Sequence, residues 1–154
     1  EELIKNFDVE EFRKNTPAVG DSDILPICIK LEYDISTLVE EERHMFMEEY
    51  GIQETGLDRL IHTAYQRLGL ISFFTTGEDE SRAWTIQNGE NAKEAAKAIH
   101  TDISDNFIAA EVVGYPEFVS LGGYKSCKDA GKLRIESKTY IVKDGDIIEF
   151  RHNG

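Results

Sequence analysis

Basic residues are scarce in this chain, and cysteine and proline scarcer still. Two cysteines, Cys28 and Cys127, stand far apart with no CxxC pair. That spacing makes a reducing, cytoplasmic setting with no disulfide the default. There is no run of about 18 apolar residues, so no membrane-spanning helix is expected. The chain opens EELIKNFDVEEF, too acidic for a secretory leader. No GxxxxGK[ST] stretch occurs, so the chain has no phosphate-cradling loop of that kind. With 17 bases against 30 acids, the net charge is −13. A polyanion would be repelled, so broad nucleic-acid binding and DNA specificity are not expected. The imbalance is uneven: residues 1–79 hold 18 acids and 7 bases, residues 80–154 hold 12 and 10. Any RNA contact therefore belongs to the second half.

What is present reads as strands and helices at ordinary spacing. Asp23 to Leu31, DILPICIKL, is a nearly continuous apolar run and reads as a buried strand. Ser36 stands before TLVEEERHMFMEEYG, a helix with Leu38, Met45, Phe46 and Met47 among acids. Gly51 ends it. TGLDRLIHTAYQRLGL has helical apolar spacing, with Thr55 and Asp58 placed as a capping box. ISFFTTGEDES reads as a strand running into a turn, RAWTI as a strand, and AKEAAKAIH as an Ala-rich helix. NFIAAEVVGY follows as a strand, PEFVSLGG and YKSCKDAGK as short helical segments, and KLRIES, KTYIV and IIEFRH as strands. KDGD before the last of these carries the Asp-Gly hairpin signal. One strand and helices followed by short strands with brief connections define an α+β protein.

The segments RAWTIQNGENAKEAAKAIHTDISDNFIAAEVVGYPEF and AGKLRIESKTYIVKDGDIIEFRHN resemble the carboxy-terminal TGS domain of the YchF family, the Obg-like ATPases. The run from Ile24 to Gly77 is similar to the end of the nucleotide-binding domain that precedes TGS in that family. The resemblance implies a β-grasp (ubiquitin-like) TGS domain over residues 80–154. A strand-helix-helix remnant of a P-loop α/β nucleotide-binding domain would occupy residues 1–79. It further implies a carboxy-terminal piece of a translation-associated ATPase or GTPase. The parent uses ATP (or GTP) and Mg²⁺, while this chain alone holds no cofactor, no metal and no catalytic residue. Cys28, Ile29 and Lys30 take the place of the loop that passes near the nucleotide base, although Ile29 stands where the family has a small residue. The family's TGS domains face the ribosome or structured RNA, so those are the implied partners.

Individual residues divide between chemistry and scaffolding. His100, Thr101 and Asp102 in AIHTDISDNF read as a helix end, with His100 favoured by the helix dipole and Thr101 and Asp102 leaving in a turn. His44, His62 and His152 are too scattered to form a metal site. Trp84 reads as core and Cys127 as a semi-buried structural residue. Lys125, Lys128 and Lys132 fall at i, i+3 and i+7, one face of a helix, with Arg134 and Lys138 close behind. That set is the candidate phosphate-binding patch for RNA or ribosome. A different class of function, a β-grasp sulfur carrier or ubiquitin-like modifier, remains as the alternative. Against it, the chain ends His-Asn-Gly where such carriers end Gly-Gly.

Overall fold

The computed structural model describes residues 7–77 and 80–153. The chain divides between Ala64 and Tyr65 into two compact units. The expected 79/80 boundary lies further along. The difference arises because Leu70–Thr76 is a strand of the second unit's sheet, where it pairs with two other strands. The turn expected around Glu78 and Asp79, the first six residues and Gly154 lie outside the described residues.

The first unit is helical. Helix α1 (Val9–Asn15) is capped by Asp8, which accepts from the Glu11 amide at 2.9 Å. A short 3-10 turn, Pro17–Val19, follows. The expected strand from Asp23 to Leu31 is not formed: residues 22–28 have no regular structure, and helix α2 (Ile29–Thr37) begins inside the run. The physical reason is local. Pro26 has no N–H to give a ladder, and no described strand in this unit offers the partner that a lone strand needs. Ser36 lies in the last turn of α2, its hydroxyl donating to the Tyr33 carbonyl at 2.8 Å, so it does not cap the next helix. That helix, α3 (Glu40–Glu49), starts after Val39 with Glu40, Glu41 and Glu42 in its first turn, where the dipole favours acids. Gly51, with φ +64°, ends it as expected.

Helix α4 (Gly56–Leu68) crosses the division and has the expected cap: Thr55 Oγ1 accepts from the Asp58 amide at 3.1 Å and donates to its carboxylate at 2.7 Å. Glu32 of α2 accepts from the Gly56 amide at 2.7 Å, and Arg59 donates to the Pro26 carbonyl at 2.9 Å. A Cβ at position 56 would meet Ile27 Cγ2 at 2.9 Å, so only glycine permits this approach. Ile35 is the one buried hydrophobic among the described residues of this unit. Ile29, Tyr33, Val39, Met45 and Leu57 are exposed.

The second unit is a mixed five-stranded sheet whose strands lie in the spatial order Ser81–Gln87, Leu70–Thr76, Asp146–His152, Phe107–Gly114 and Arg134–Glu136. Strand β1 (Leu70–Thr76) and strand β2 (Ser81–Gln87) pair antiparallel along their whole length. Helix α5 (Ala92–Ile99) then crosses the sheet and short helix α6 (Thr101–Asp105) follows. Strand β3 (Phe107–Gly114) leads into an insert of two short helices, α7 (Tyr115–Leu121) and α8 (Tyr124–Asp129). Strand β4 (Arg134–Glu136) and strand β5 (Asp146–His152) complete the sheet. The last strand lies parallel to β1 and antiparallel to β3.

Period-2 alternation gives the sheet two apolar faces. Ile71, Phe73, Ile86, Val112 and Ile148 pack beneath Ala92 and Ala95 of α5. On the other face, Val113 and Ile147 pack with Cys127 of the insert, flanked by Phe74, Phe118, Tyr124 and Leu133. Asn91 and Glu94 form a reciprocal capping box at the start of α5. The expected strand KTYIV does not form. Its backbone straps the beginning of α5, with the Ala92 amide donating to the Tyr140 carbonyl and the Val142 amide to the Glu90 carbonyl. KDGD does turn, with Gly145 at φ +79°, but it makes no hairpin because β5 takes β1 and β3 as neighbours.

Candidate functional site

Two places carry chemistry, the insert between β3 and β4 and the strap between β4 and β5. In the insert, Pro116 stands in the first turn of α7 and Gly122, at φ +81°, ends it. Helix α8 is held down by Cys127, fully buried, and by Tyr124, whose hydroxyl donates to the Glu111 carbonyl at 2.7 Å. Burial and the Glu149 carboxylate raise the pKa of the Tyr124 phenol, so it stays neutral. These anchors leave the opposite side of α8 to solvent. Lys125 and Lys128 are exposed there and Lys132 is exposed just beyond the helix, and none of the three makes an ion pair with a described residue.

The three lysines do not share one helical face. Lys125 and Lys128 belong to α8, which stops at Asp129. Gly131, at φ +67°, turns the chain, and the Lys132 amide donates to the Cys127 carbonyl at 2.9 Å. Lys132 therefore sits just past the helix end, where glycine takes the left-handed conformation.

Arg134 has a different setting. Its guanidinium lies 3.3 Å from Glu136 and 3.6 Å from Asp146, and donates to the Tyr140 hydroxyl at 3.2 Å. Asp146 is 4% exposed and accepts from Tyr140 at 2.8 Å and from the Lys143 amide at 2.9 Å. Burial works against the Arg134 charge, but Tyr140, Asp146 and Glu136 outweigh it and raise its pKa. Burial, then the Asp146 carboxylate, pushes Tyr140 up to about 12. No sequence spacing pointed to this network, since Tyr140 lay in an expected strand and Asp146 in a turn signal.

The network makes a pH prediction. The pKa of Tyr140 is raised in the folded chain from 10.0 to about 12. Its contribution to stability is therefore full below pH 10 and is lost as pH rises through about 12. Asp146→Asn removes a charged acceptor from a buried site and should cost about 1–3 kcal/mol. It should also move one tyrosine's phenolate titration to lower pH, read by ultraviolet absorbance. A titration unchanged in the variant would contradict the coupling.

Cys28 is the residue before α2, partly buried, while Ile29 is 83% exposed and Lys30 is also exposed. These residues do not fit a phosphate or Mg²⁺ site. They bring no glycine-rich turn and no carboxylate group, and no three His, Cys, Asp or Glu residues cluster among the described residues. His100 ends α5 and also starts α6, its Nδ1 accepting from the Asp102 amide at 3.2 Å. Thr101 and Asp102 therefore begin a second helix instead of leaving in a turn. Ser104 fixes that helix by donating to the Lys93 carbonyl at 2.9 Å. Trp84 packs against the sheet core, donates to Thr75 Oγ1 at 2.9 Å and lies beneath the Arg82 guanidinium. No described helix is long and apolar enough to cross a membrane.

Comparison with known proteins adds to this geometry. The ribosome-binding ATPase YchF of Bacillus subtilis is 48% identical over 137 residues, covering 88% of this chain and 37% of that protein. Obg-like ATPase 1 of Caenorhabditis elegans is 44% identical over 130 residues, 84% of this chain and 33% of that protein. The chain thus spans about a third of the length of these relatives. The solved structure of the Schizosaccharomyces pombe YchF GTPase superposes with a TM-score of 0.76 at 30% identity, covering 93% of this chain and 38% of that one. A family model described as YchF-GTPase_C, a protein of unknown function (DUF933), matches residues 70–153. That match begins at the first residue of β1 and ends one residue beyond β5, so it takes in the whole sheet and its insert, and the chain belongs to the YchF family.

Proposed function

We propose that this chain is the carboxy-terminal part of a YchF-type cytoplasmic ATPase and serves there as a ribosome-binding module. In this reading residues 65–154 are a β-grasp domain of the TGS kind. The sheet order β2-β1-β5-β3-β4, its parallel central pair and the single helix α5 across one face support that assignment. The observation that supports the functional reading is the exposed trio Lys125, Lys128 and Lys132 on the insert, without an ion pair among the described residues, in a chain similar to a protein named ribosome-binding ATPase. Lysine acts as a flexible point charge, so the trio suits RNA phosphates and not base edges. Arg134, committed to Glu136, Tyr140 and Asp146, shapes the edge beside the patch. ATP or GTP and Mg²⁺ belong to the full-length parent, held by residues outside this chain. The sulfur-carrier alternative gives way to membership in the YchF family.

Purified ribosomes test the proposal. The chain should co-sediment with them at low salt, release as salt rises, and hydrolyse neither ATP nor GTP above background. Sedimentation independent of ribosomes, or turnover by this chain alone, would refute it.

A further inference from the structure

Each lysine of the trio stands beside a residue that the sheet holds. Lys125 follows Tyr124, Lys128 follows Cys127, and Lys132 precedes Leu133. Cys127 is buried with Val113 and Ile147, and Tyr124 and Leu133 pack against that cluster. The Tyr124 hydroxyl, donating to the Glu111 carbonyl at 2.7 Å, ties the first turn of α8 to the middle of β3. The Cys127 thiol donates to the Glu117 carbonyl at 3.7 Å and ties α8 to α7. The backbone beneath the three charges is thus fixed before any ligand arrives. Residues 125–132 hold three lysines, one acid, Asp129, and no aromatic side chain. The insert's aromatics are engaged elsewhere: Phe118 and Tyr124 stand edge to face at 5.9 Å, and Tyr115, half exposed, lies tilted against Phe74 at 6.1 Å.

We propose that the lysine trio takes the backbone of base-paired RNA, whatever its sequence, and that Tyr124 is the residue that positions the trio. The inference rests on the ribosome-binding reading of the insert and narrows it to one kind of RNA. Unpaired RNA is held largely by stacking its bases on aromatic side chains, and residues 125–132 supply none. A duplex buries its base faces and turns its phosphates outward, where lysines suffice to hold it. Phosphates are also denser along a duplex, so each contact releases more counterion. Asp129 offsets one of the three lysines, so the attraction is modest and salt-sensitive. Positioning then matters: with α8 anchored, ordering the trio costs side-chain freedom and little backbone freedom.

Labelled RNA and the intact chain test the proposal, with binding followed by fluorescence anisotropy at several salt concentrations. The probes are two RNA hairpins of different stem sequence and an unpaired uridine strand with as many phosphates. The hairpins should bind alike, and at least about fivefold more tightly than the unpaired strand. Tyr124→Phe keeps the ring and loses the hydroxyl. Well below its melting temperature it should bind the hairpins about fivefold more weakly, with the salt slope unchanged because all three lysines remain. The combined Lys125→Glu, Lys128→Glu, Lys132→Glu variant separates this inference from the reading beneath it. Ribosome association untouched by that variant would refute the reading of the insert itself. If that variant does release ribosomes, three results would still overturn the base-paired assignment: equal binding of hairpin and unpaired strand, a preference between the hairpins, or no hairpin binding at low salt. A lowered melting temperature with unchanged hairpin affinity in Tyr124→Phe would make Tyr124 a structural residue only and overturn its positioning role.

Discussion

Replacing Lys125, Lys128 and Lys132 together with glutamate should weaken ribosome association about a hundredfold near physiological salt. The trio's side chains are exposed and make no ion pair among the described residues, so each can meet a phosphate and release a counterion. Losing three contacts should reduce the slope of log K against log salt by about two to three units. The fold should persist, because exposed surface substitutions change stability by no more than about half a kcal/mol each. Cys127 and Tyr124, which anchor α8, are untouched by the change. Arg134→Gln should behave differently. Its guanidinium serves Glu136, Tyr140 and Asp146, so its loss should register in the melt before it registers in binding.

Phe73→Ala should be the most destabilising single change in the second unit. Phe73 is fully buried on β1, edge-on to Phe150 with ring centroids 6.0 Å apart. It lies in the cluster that joins β1, β2, β3 and β5 to α5. Truncation removes the transfer energy of a ring and leaves a cavity, about 3–5 kcal/mol. Domains of this size hold only about 5–15 kcal/mol in total. A fall in melting temperature of roughly 15 °C or more follows. The single tryptophan reports it directly, since Trp84 is the cross-strand partner of Phe73. Phe73→Leu should cost much less, because the apolar volume is largely kept. A Phe73→Ala loss under about 1 kcal/mol would contradict the assignment of this face as the core.

Much of the sheet was legible because its signals are local. SRAWTIQ and FIAAEVVG are rich in strand formers, and AKEAAKAI is bounded by Asn91 and His100, both of which cap. The TGLDRL start was legible for the same reason, its Thr55 and Asp58 bonding as read. What failed depended on neighbours. DILPICIKL has apolar density but no clear period, and whether it makes a strand depends on a partner that its unit does not supply. KTYIV alternates like a strand, but Tyr140 finds Asp146 and Val142 is buried, so the segment becomes a strap. The candidate patch was legible as composition and only partly as geometry. Gly131 ends α8 before Lys132, and the attachment of Arg134 to Asp146 spans a loop that spacing cannot read.

Lysine footprinting tests the central claim most directly. The chain, free and ribosome-bound, is treated briefly with an amine-acetylating reagent and mapped by mass spectrometry. Lys125, Lys128 and Lys132 are exposed in the structure and should react readily in the free chain. On the ribosome they should be protected, while Lys93 and Lys97 on the exposed side of α5 keep their reactivity. If the trio reacts equally in both states while the chain remains bound, the insert is not the ribosome-facing surface and the account is wrong.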